Sequence, residues 1–248
     1  MEFMQATKMK SWYINDTSRP LIFLGTSTSM LKYAEPAEAV GIEVAGIIDS
    51  DYYGNTAEYC GMPVIDSDDA FNDPEKLKYY RENFNFFIAV NWTPENRSWA
   101  IRNNEKRQRY MNMIEQLGLN CISIVDPTAR LSKHSSIGYG VFLDGHVLIE
   151  PKTTVGNFTV IWYNNSIGHD NVIGNNCVFQ RQVILASDNI IEDNVYFGTA
   201  VKALKNQVTF GAGSFIHEGI YIRRGTLPGE VVSTTSPNQR RVYHHFID

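Results

Sequence analysis

Residues 129–200 form an unbroken six-residue repeat, and this repeat restricts the chain to few architectures. The third residue of every block is apolar: Leu131, Ile137, Leu143, Ile149, Val155, Ile161, Ile167, Ile173, Phe179, Leu185, Ile191 and Phe197. The fourth residue is glycine in five blocks, at Gly138, Gly156, Gly168, Gly174 and Gly198. A period of six fits neither the helical period of about 3.6 nor the strand period of about 2, so it comes from a larger repeating unit.

The unit that fits is one short strand followed by one corner. Three such units close a triangular coil, and stacked coils pair their strands in parallel about 4.8 Å apart. The apolar third residue points inward at each level. No coil can bury that residue alone, so the stack is the stable unit. The twelve blocks predict a stack of four coils.

The register of the repeat changes by one residue after Ala200. The segment VKALKNQ takes the place of a six-residue block, and VTFGAG, SFIHEG and IYIRRG then resume the pattern. We expect a bulge or small loop over residues 205–207, on the outside of the stack. Beyond it, Phe210, Ile216 and Ile222 are expected to point inward.

The first half of the chain has a different pattern, in which apolar runs alternate with helical stretches. The runs are PLIFLG, IEVAGIID, MPVID and NFFIAV, and the helices are expected near residues 30–40, after Ser67 and Asp68, and over 94–117. This alternation predicts a parallel α/β sheet. We therefore predict an extension over residues 1–18, an α/β domain over 19–126, a β-helix over 127–236 and a tail over 237–248.

Composition excludes several classes of partner and location. The chain has 248 residues and a net charge of −5, and its lysines and arginines form no basic stripe, which argues against nucleic acid and anionic membrane surfaces. The apolar run LIFLG is far shorter than the roughly 20 residues of a membrane span. The three cysteines are widely spaced and lack a CxxC motif, which predicts free thiols and a cytoplasmic location.

The segment NNSIGHDNVIG at 164–174 resembles the hexapeptide-repeat acyltransferases, which fold as left-handed parallel β-helices. Together with LIFLG, VAGIIDSD and CGMPVID, it resembles the bacterial sugar N-acetyltransferases that act on nucleotide-linked amino sugars for surface glycans. The resemblance implies a left-handed coil, against the usual hand of parallel crossovers, and a Rossmann-like N-terminal domain that binds the nucleotide sugar. It also implies a homotrimer with acetyl-CoA between adjacent β-helices and active sites at the subunit interfaces.

The residue that matches the family's general base is His169, at the fifth place of the seventh block. Acyl transfer to an amine needs a group that removes a proton near neutral pH, and imidazole does so. We expect His169 to project outward from a corner. Gly168 stands where some relatives carry an acidic residue, so Asp170 is the local candidate to orient the ring. Direct attack on the thioester requires neither a metal nor a covalent enzyme intermediate.

For the nucleotide sugar, the resemblance points to the first strand-to-helix turn. Relatives have a glycine-rich loop there, whereas this chain has Gly25, Thr26 and Ser27 in the segment GTSTS. N–H groups at a helix start bind phosphate. An ordinary helix cap explains the same residues equally well.

Three further residues are predicted to contact the substrate. Asp49 and Asp51 end the second strand, where relatives use acidic residues to hold the base or ribose. A strand-ending turn is the alternative for both. Asn164 lies beside the predicted base, and its alternative role is to form a corner, because asparagine tolerates the left-handed backbone conformation.

The predicted coenzyme A contacts depart from the family pattern. Many relatives have a second histidine about nine residues after the base, and here Val178 occupies that place, with Gln180 and Arg181 nearby. Near the C-terminus, relatives fold a proline- and cation-containing segment over the adenine end of coenzyme A. The segment TTSPNQRR supplies Pro237 and Arg240 for this role.

Three alternatives to the N-acetyltransferase remain. O-acylation of a sugar hydroxyl keeps the same fold and base. A β-helical metalloenzyme of the carbonic anhydrase type requires three converging histidines, and the place of its usual second histidine is Gly174. A non-catalytic scaffold would keep only the stack.

Overall fold

The computed structural model describes residues 14–94, 98–233 and 241–242. Residues 1–13 of the predicted extension, and the predicted coenzyme A residues Pro237 and Arg240, lie outside these ranges. The first half contains strands β1 (Leu21–Leu24), β2 (Val44–Ile48), β3 (Glu58–Tyr59), β4 (Met62–Asp66) and β5 (Asn85–Ile88). Its helices are α1 (Met30–Ala39), α2 (Pro74–Asn83) and α3 (Ser98–Leu117).

The strands of the first half form one sheet in the order β3-β4-β2-β1-β5. Strands β4, β2, β1 and β5 run parallel, as the alternation of strands and helices predicts. The edge strand β3 is antiparallel to β4 and makes the sheet mixed. The sequence reading missed β3, which forms because Cys60 and Gly61 both adopt positive φ, 51° and 77°, in a tight hairpin turn.

Helix α2 begins later than the sequence predicts. The expected cap at Ser67 and Asp68 instead leads into a short 3-10 helix, Asp68–Asn72. The helix proper begins at Pro74, where the carboxylate of Asp73 accepts hydrogen bonds from the N–H groups of Glu75 and Lys76. Proline at the first helical position has no N–H to leave unpaired, so this start is favoured.

The second half is a stack of short parallel strands on three faces. The first face contains Ile124–Val125, Phe142–Leu143, Val160–Ile161, Val178–Phe179, Tyr196–Phe197, Phe215–Ile216 and Glu230–Val232, with Arg241–Val242 antiparallel at its end. The second face contains Arg130–Leu131, Leu148–Ile149, Ser166–Ile167, Ile184–Leu185, Lys202–Ala203 and Tyr221–Ile222. The third contains Ser136–Ile137, Thr154–Val155, Val172–Ile173, Ile190–Ile191 and Thr209–Phe210.

Strands on one face pair with partners 18 residues away, as Val160 does with Val178. The third residues of the blocks are buried and form one continuous core, apart from the half-buried Leu131 at its edge. The sixth residue of each block from 140 to 200 has positive φ: Gly140, His146, Lys152, Phe158, Asn164, Asp170, Asn176, Gln182, Asp188, Asn194 and Ala200. These sheets and corners fit a left-handed β-helix, as predicted.

The stack extends beyond the twelve strict blocks at both ends. Strand Ile124–Val125 lies before the predicted domain boundary and already pairs with Phe142–Leu143. After Ala200, the register change is confirmed, because Ile190 pairs with Thr209, one residue further than the usual spacing. Phe210, Ile216 and Ile222 are buried as expected, and the extra residue lies in the exposed segment 204–207.

The α/β half packs against the first face of the stack through an apolar cluster. Tyr33 of α1 contacts Phe142 and Trp162, with ring centroids 4.8 Å and 5.4 Å apart. Phe87 of β5 also contacts Phe142. Val178 belongs to the same buried cluster. Side chains of this face that would meet water in an isolated stack are therefore covered.

A buried arginine adds a polar connection between the two halves. Arg107 of α3 is 2% exposed and donates to the carbonyl oxygens of Val90 at 2.8 Å and Phe158 at 2.6 Å. Its Nε donates to Oδ1 of Asn176 at 2.8 Å. Burial lowers the pKa of this guanidinium from its usual value. Each polar group is paired, and the contacts hold α3 and the end of β5 against two corners of the stack.

Among the described residues, no helix combines the length and the apolar character needed to cross a membrane.

The inward column of the stack supplies a test of the fold. Phe179 is fully buried and stacks on Phe197 with ring centroids 4.8 Å apart. We expect Phe179→Ala to lower the free energy of unfolding by about 3–5 kcal/mol, because it leaves a cavity that neighbouring coils cannot close. The control Leu204→Ala, at a side chain 45% exposed, should cost less than about 0.5 kcal/mol. Equal losses of unfolding free energy in the two variants, measured by urea titration, would contradict the inward position of Phe179.

Candidate active site

A cleft of about 1040 Å³ opens where the carboxyl ends of β1, β2 and β5 meet helix α3 and the first face of the stack. Loops at this edge of a parallel sheet commonly bind ligands. Five residues predicted from the sequence line the cleft: Thr26, Ser27, Asp51, Val178 and Arg181. Gly25, Asp49, Asn164, His169 and Asp170 are not among its lining residues. The predicted residues therefore lie apart: one group forms the cleft and its wall, His169 and Asp170 lie on the corner between the second and third faces, and Asn164 lies on the corner between the first and second faces.

The loop after β1 is shaped by Gly25. Its φ is +75°, and a Cβ atom there would lie 2.3 Å from Cγ2 of Val90 and 2.7 Å from Cε2 of Tyr110. The next residue, Thr26, donates its hydroxyl to Oδ2 of Asp49 at 2.9 Å. Gly25 and Asp49 thus hold Thr26 in place without lining the cleft themselves, and Ser27 lines the cleft.

Lys106 of α3 binds both predicted carboxylates. Its Nζ lies 2.5 Å from Oδ1 of Asp49 and 2.6 Å from Oδ2 of Asp51. Asp49 is fully buried, whereas the Asp51 side chain is 71% exposed. The hydrogen bond from Lys106 holds the pKa of the Asp51 carboxyl below its usual value. Sequence reasoning missed Lys106, because its partners lie more than 50 positions away in a helix that reads as polar surface.

The cleft combines cations with aromatic rings. Lys32, Arg102, Lys106, Arg109 and Arg181 line it, together with Asp51 and Glu105 as the acidic residues. Its rings come from Tyr52, Tyr59, Trp92, Trp99, Trp162 and Tyr196. The ammonium of Lys32 lies 5.5 Å from the centroid of the Trp162 ring, within cation–π range. Such a lining suits a ligand that carries both phosphate groups and a flat base.

A hydrogen-bonded chain orients one amide at the edge of the cleft. The hydroxyl of Tyr33 donates to Oδ1 of Asn91 at 2.6 Å, and Nδ2 of Asn91 donates to Oγ of Ser29 at 3.0 Å. Burial raises the pKa of Tyr33, so its hydroxyl stays protonated. The side chain of Asn91 therefore has a fixed orientation, which the sequence did not indicate.

The predicted coenzyme A positions near the cleft differ in exposure. Val178 is 3% exposed and packs in the cluster between the two halves of the chain. Gln180 donates to the hydroxyl of Tyr196 at 2.8 Å, and Arg181 is exposed. At the position of the family's second histidine, the chain therefore has a packing residue.

His169 lies on the corner between the second and third faces, and its side chain is half exposed, as predicted. Its Nδ1 lies 2.8 Å from Oδ2 of Asp170, and Nζ of Lys152 lies 3.7 Å from Oδ1 of the same carboxylate. Asp188 from the next coil completes a cluster whose side-chain nitrogen and oxygen atoms lie within 4.8 Å of one another. This cluster contains one histidine, whereas the metalloenzyme alternative needs three.

The backbone conformation and the packing of the coils explain why Gly168 and Asn164 occupy their positions. A Cβ at Gly168 would lie 2.6 Å from Oγ of Ser187 in the next coil, so this position has no room for an acidic side chain. Asn164 is exposed with φ of 60°, as a corner requires. Asn165, by contrast, is buried, and its Oδ1 accepts the N–H of Val183 at 2.6 Å.

Comparison with known proteins identifies the fold. No family model matches the chain, and no curated protein matches it. The acetyltransferase domain of PglB from Neisseria gonorrhoeae, solved with acetyl coenzyme A, has a TM-score of 0.73 at 19% identity, over 91% of this chain and 99% of that one. WeeI from Acinetobacter baumannii has a TM-score of 0.69 at 17% identity, over 91% and 100%. PerB from Caulobacter crescentus was solved with CoA and GDP-perosamine. It has a TM-score of 0.61 at 21% identity, over 86% of this chain and 92% of that one. The predicted resemblance is thus confirmed for the fold.

The Lys106 contacts predict a pH-dependent loss of stability. In Lys106→Met the buried Asp49 loses its cation, and we expect a loss of about 3–5 kcal/mol at pH 7. In Asp51→Asn, the exposed partner, the loss should be below about 1 kcal/mol.

The contribution of Asp51 to stability depends on pH. Because the Asp51 pKa is lowered in the folded state, its contribution is complete above the unfolded value of about 3.9 and disappears as the pH falls through the folded value. Denaturant titrations between pH 7 and pH 3 measure both losses. An Asp51→Asn difference that does not decrease between pH 5 and pH 3 would contradict the assignment.

Proposed function

We propose that this protein is an acetyl-CoA-dependent N-acetyltransferase that acts on the amine of a nucleotide-linked amino sugar. The observation that carries the proposal is the exposed His169, held by Asp170 on a corner of the stack. The fold supports it, because similar structures include an acetyltransferase domain with acetyl coenzyme A and a protein with CoA and GDP-perosamine.

The chemistry follows from the orientation of the imidazole. Because Asp170 accepts a hydrogen bond from Nδ1 of His169, Nε2 is the nitrogen that accepts a proton. The substrate amine attacks the thioester carbonyl, a C–N bond forms and the C–S bond breaks. The amine proton passes to Nε2, and from there to the departing sulfur. His169 acts as general base and then as general acid.

The cleft is the proposed site of the nucleotide portion of the sugar substrate. We assign the α/β half, residues 19–126, as a Rossmann-like nucleotide-sugar-binding domain, and residues 127–236 as the acyltransferase domain. Cations of α3, among them Arg102 and Arg109, suit a diphosphate, and the aromatic rings suit the base. Arg109 also pairs with Asp68 at 2.6 Å, which fixes its position beside the cleft. The N–H groups after Gly25 add donors at the start of α1.

The sugar site and the base belong to different copies of the chain in a homotrimer. In a triangular coil, the corner between the second and third faces is opposite the first face, which forms a wall of the cleft. Apolar side chains are exposed beside that corner: Val172 at 52% and Ile190 at 44% on the third face, and Ile184 at 39% on the second. Packing these faces against a neighbouring copy would bury them and bring its cleft to His169. Acetyl-CoA would lie in the groove between the two copies, near Arg181.

We place the reaction in the cytoplasm, where the buried thiols of Cys121 and Cys177 stay reduced. The acetylated sugar nucleotide would serve the synthesis of surface polysaccharides.

Replacing the base tests the mechanism. We expect His169→Ala to lower kcat by about 10²–10⁴-fold, because general-base catalysis contributes that much. His134→Ala is the matched control, since it removes a histidine from the same corner two coils away and should leave kcat unchanged. The assay measures CoA release and product mass with UDP-, GDP- and dTDP-linked amino sugars. Unchanged turnover in His169→Ala would remove this residue from the mechanism.

Mixing two inactive variants tests the shared site. One carries His169→Ala, and the other carries Arg102→Glu with Arg109→Glu in the cleft. Random co-assembly in trimers should restore about a quarter of wild-type activity, because that fraction of sites combines an intact cleft with an intact base from different copies. If the mixture stays as inactive as each variant alone, the site is formed within one chain.

A further inference from the structure

We propose that Asp188 is a positioning residue for His169: a second carboxylate, one coil away, that stabilises the protonated form of the base. This inference rests on the proposed function, because it assigns His169 the task of taking up a proton. Asp188 lies outside the contacts that the resemblance assigns, and neither charge nor motif singles it out in the sequence.

The repeat places Asp188 directly next to the base. It follows Asp170 by 18 residues, and the two have the same corner conformation, with φ of 58° and 54°. The N–H of Asp188 donates to the carbonyl oxygen of His169 at 3.0 Å, which fixes the two coils in register. Side-chain atoms of His169, Asp170 and Asp188 lie within 4.8 Å of one another.

Lys152, from the coil before, explains why a second carboxylate is needed. Its Nζ lies 3.7 Å from Oδ1 of Asp170, so Asp170 is shared between the base and a cation. The charged groups that belong to this cluster or pair with it are Lys152 from the preceding coil, Asp170 from the coil of His169 and Asp188 from the following coil. The net charge of these three groups and His169 is −1 when His169 is neutral and zero when His169 is protonated. Without Asp188, the same step would take the corner from zero to +1.

The structure thus gives Asp188 an electrostatic effect that does not require contact with substrate. An anion about 5 Å from an imidazole in a solvated environment attracts the positive charge of the protonated ring. His169 becomes positively charged when it accepts the amine proton. Two carboxylates, of Asp170 and Asp188, then attract this charge, and the ammonium of Lys152 repels it. Asp188 therefore makes the base stronger in the step in which it acts.

Two variants with opposite predicted effects test this inference. Asp188→Asn removes an anion, so the acid limb of kcat/KM should move to lower pH by about half a unit, and the plateau of kcat should fall by up to about 3-fold. Lys152→Gln removes a cation, so the acid limb should move to higher pH. Both replacements suit the backbone, because Asn176 and Gln182 already adopt the same corner conformation. The control Glu218→Gln, beside His217 on another corner, should leave the profile unchanged.

NMR titration of the His169 ring measures the same coupling without turnover. The ring signal is assigned by its loss in His169→Gln, and its midpoint is followed in the wild type, Asp188→Asn and Lys152→Gln. We expect the midpoint to fall in the first variant and rise in the second. A midpoint unchanged in Asp188→Asn, or shifts of the same sign in both variants, would overturn the inference. If the wild type transfers no acetyl group, the proposed function fails while the titration still decides the role of Asp188.

Discussion

The stacking of coils at an 18-residue repeat is the constraint on which the rest of this structure depends. Each coil buries few apolar side chains, and only its neighbours complete the core, as Phe179 and Phe197 do for each other. The same repeat places side chains of successive coils in columns on the outside. Lys152, Asp170 and Asp188 form such a column, so the charge around His169 is set by the period that makes the chain fold.

The second constraint is the connection between the stack and the α/β half. An apolar cluster around Tyr33 and Trp162 joins the two halves, and the buried guanidinium of Arg107 adds hydrogen bonds between them. A buried cation without a carboxylate partner is costly unless its donors are paired. Here two carbonyl oxygens and one amide oxygen pair them, and Val90, one of these partners, directly precedes the residues that line the cleft.

The two constraints together explain why the site is divided. The α/β half covers the first face, so the cleft opens beside that face, and the corner that carries His169 points away from it. Exposed apolar side chains on the other two faces have no role in a single chain, but they suit packing against further copies. In the proposed homotrimer, the catalytic centre would be a property of the assembly, in which each copy contributes a cleft to one site and a base to another.

The repeat could be predicted residue by residue, because an apolar residue recurs at the third place of every six-residue block. The inward side chains, the corner position of His169 and the register change after Ala200 follow from that period. Lys106 and Arg107 could not be predicted, because their partners are distant in sequence and a polar helix gives no sign of which cations it buries. The repeat places Asp188 one coil after Asp170, but no motif or charge pattern in the sequence distinguishes it from the other corner residues. The start of α2, by contrast, had a signal in Asp73 and Pro74.

A structure of the protein with CoA and a nucleotide-linked amino sugar, determined by crystallography or electron cryomicroscopy, tests the central claim most directly. The account predicts a trimer in which the nucleotide lies in the cleft of one copy and the sugar amine lies within hydrogen-bond distance of Nε2 of His169 from the next copy. An amine placed away from every His169, or a nucleotide bound outside the cleft, would contradict it.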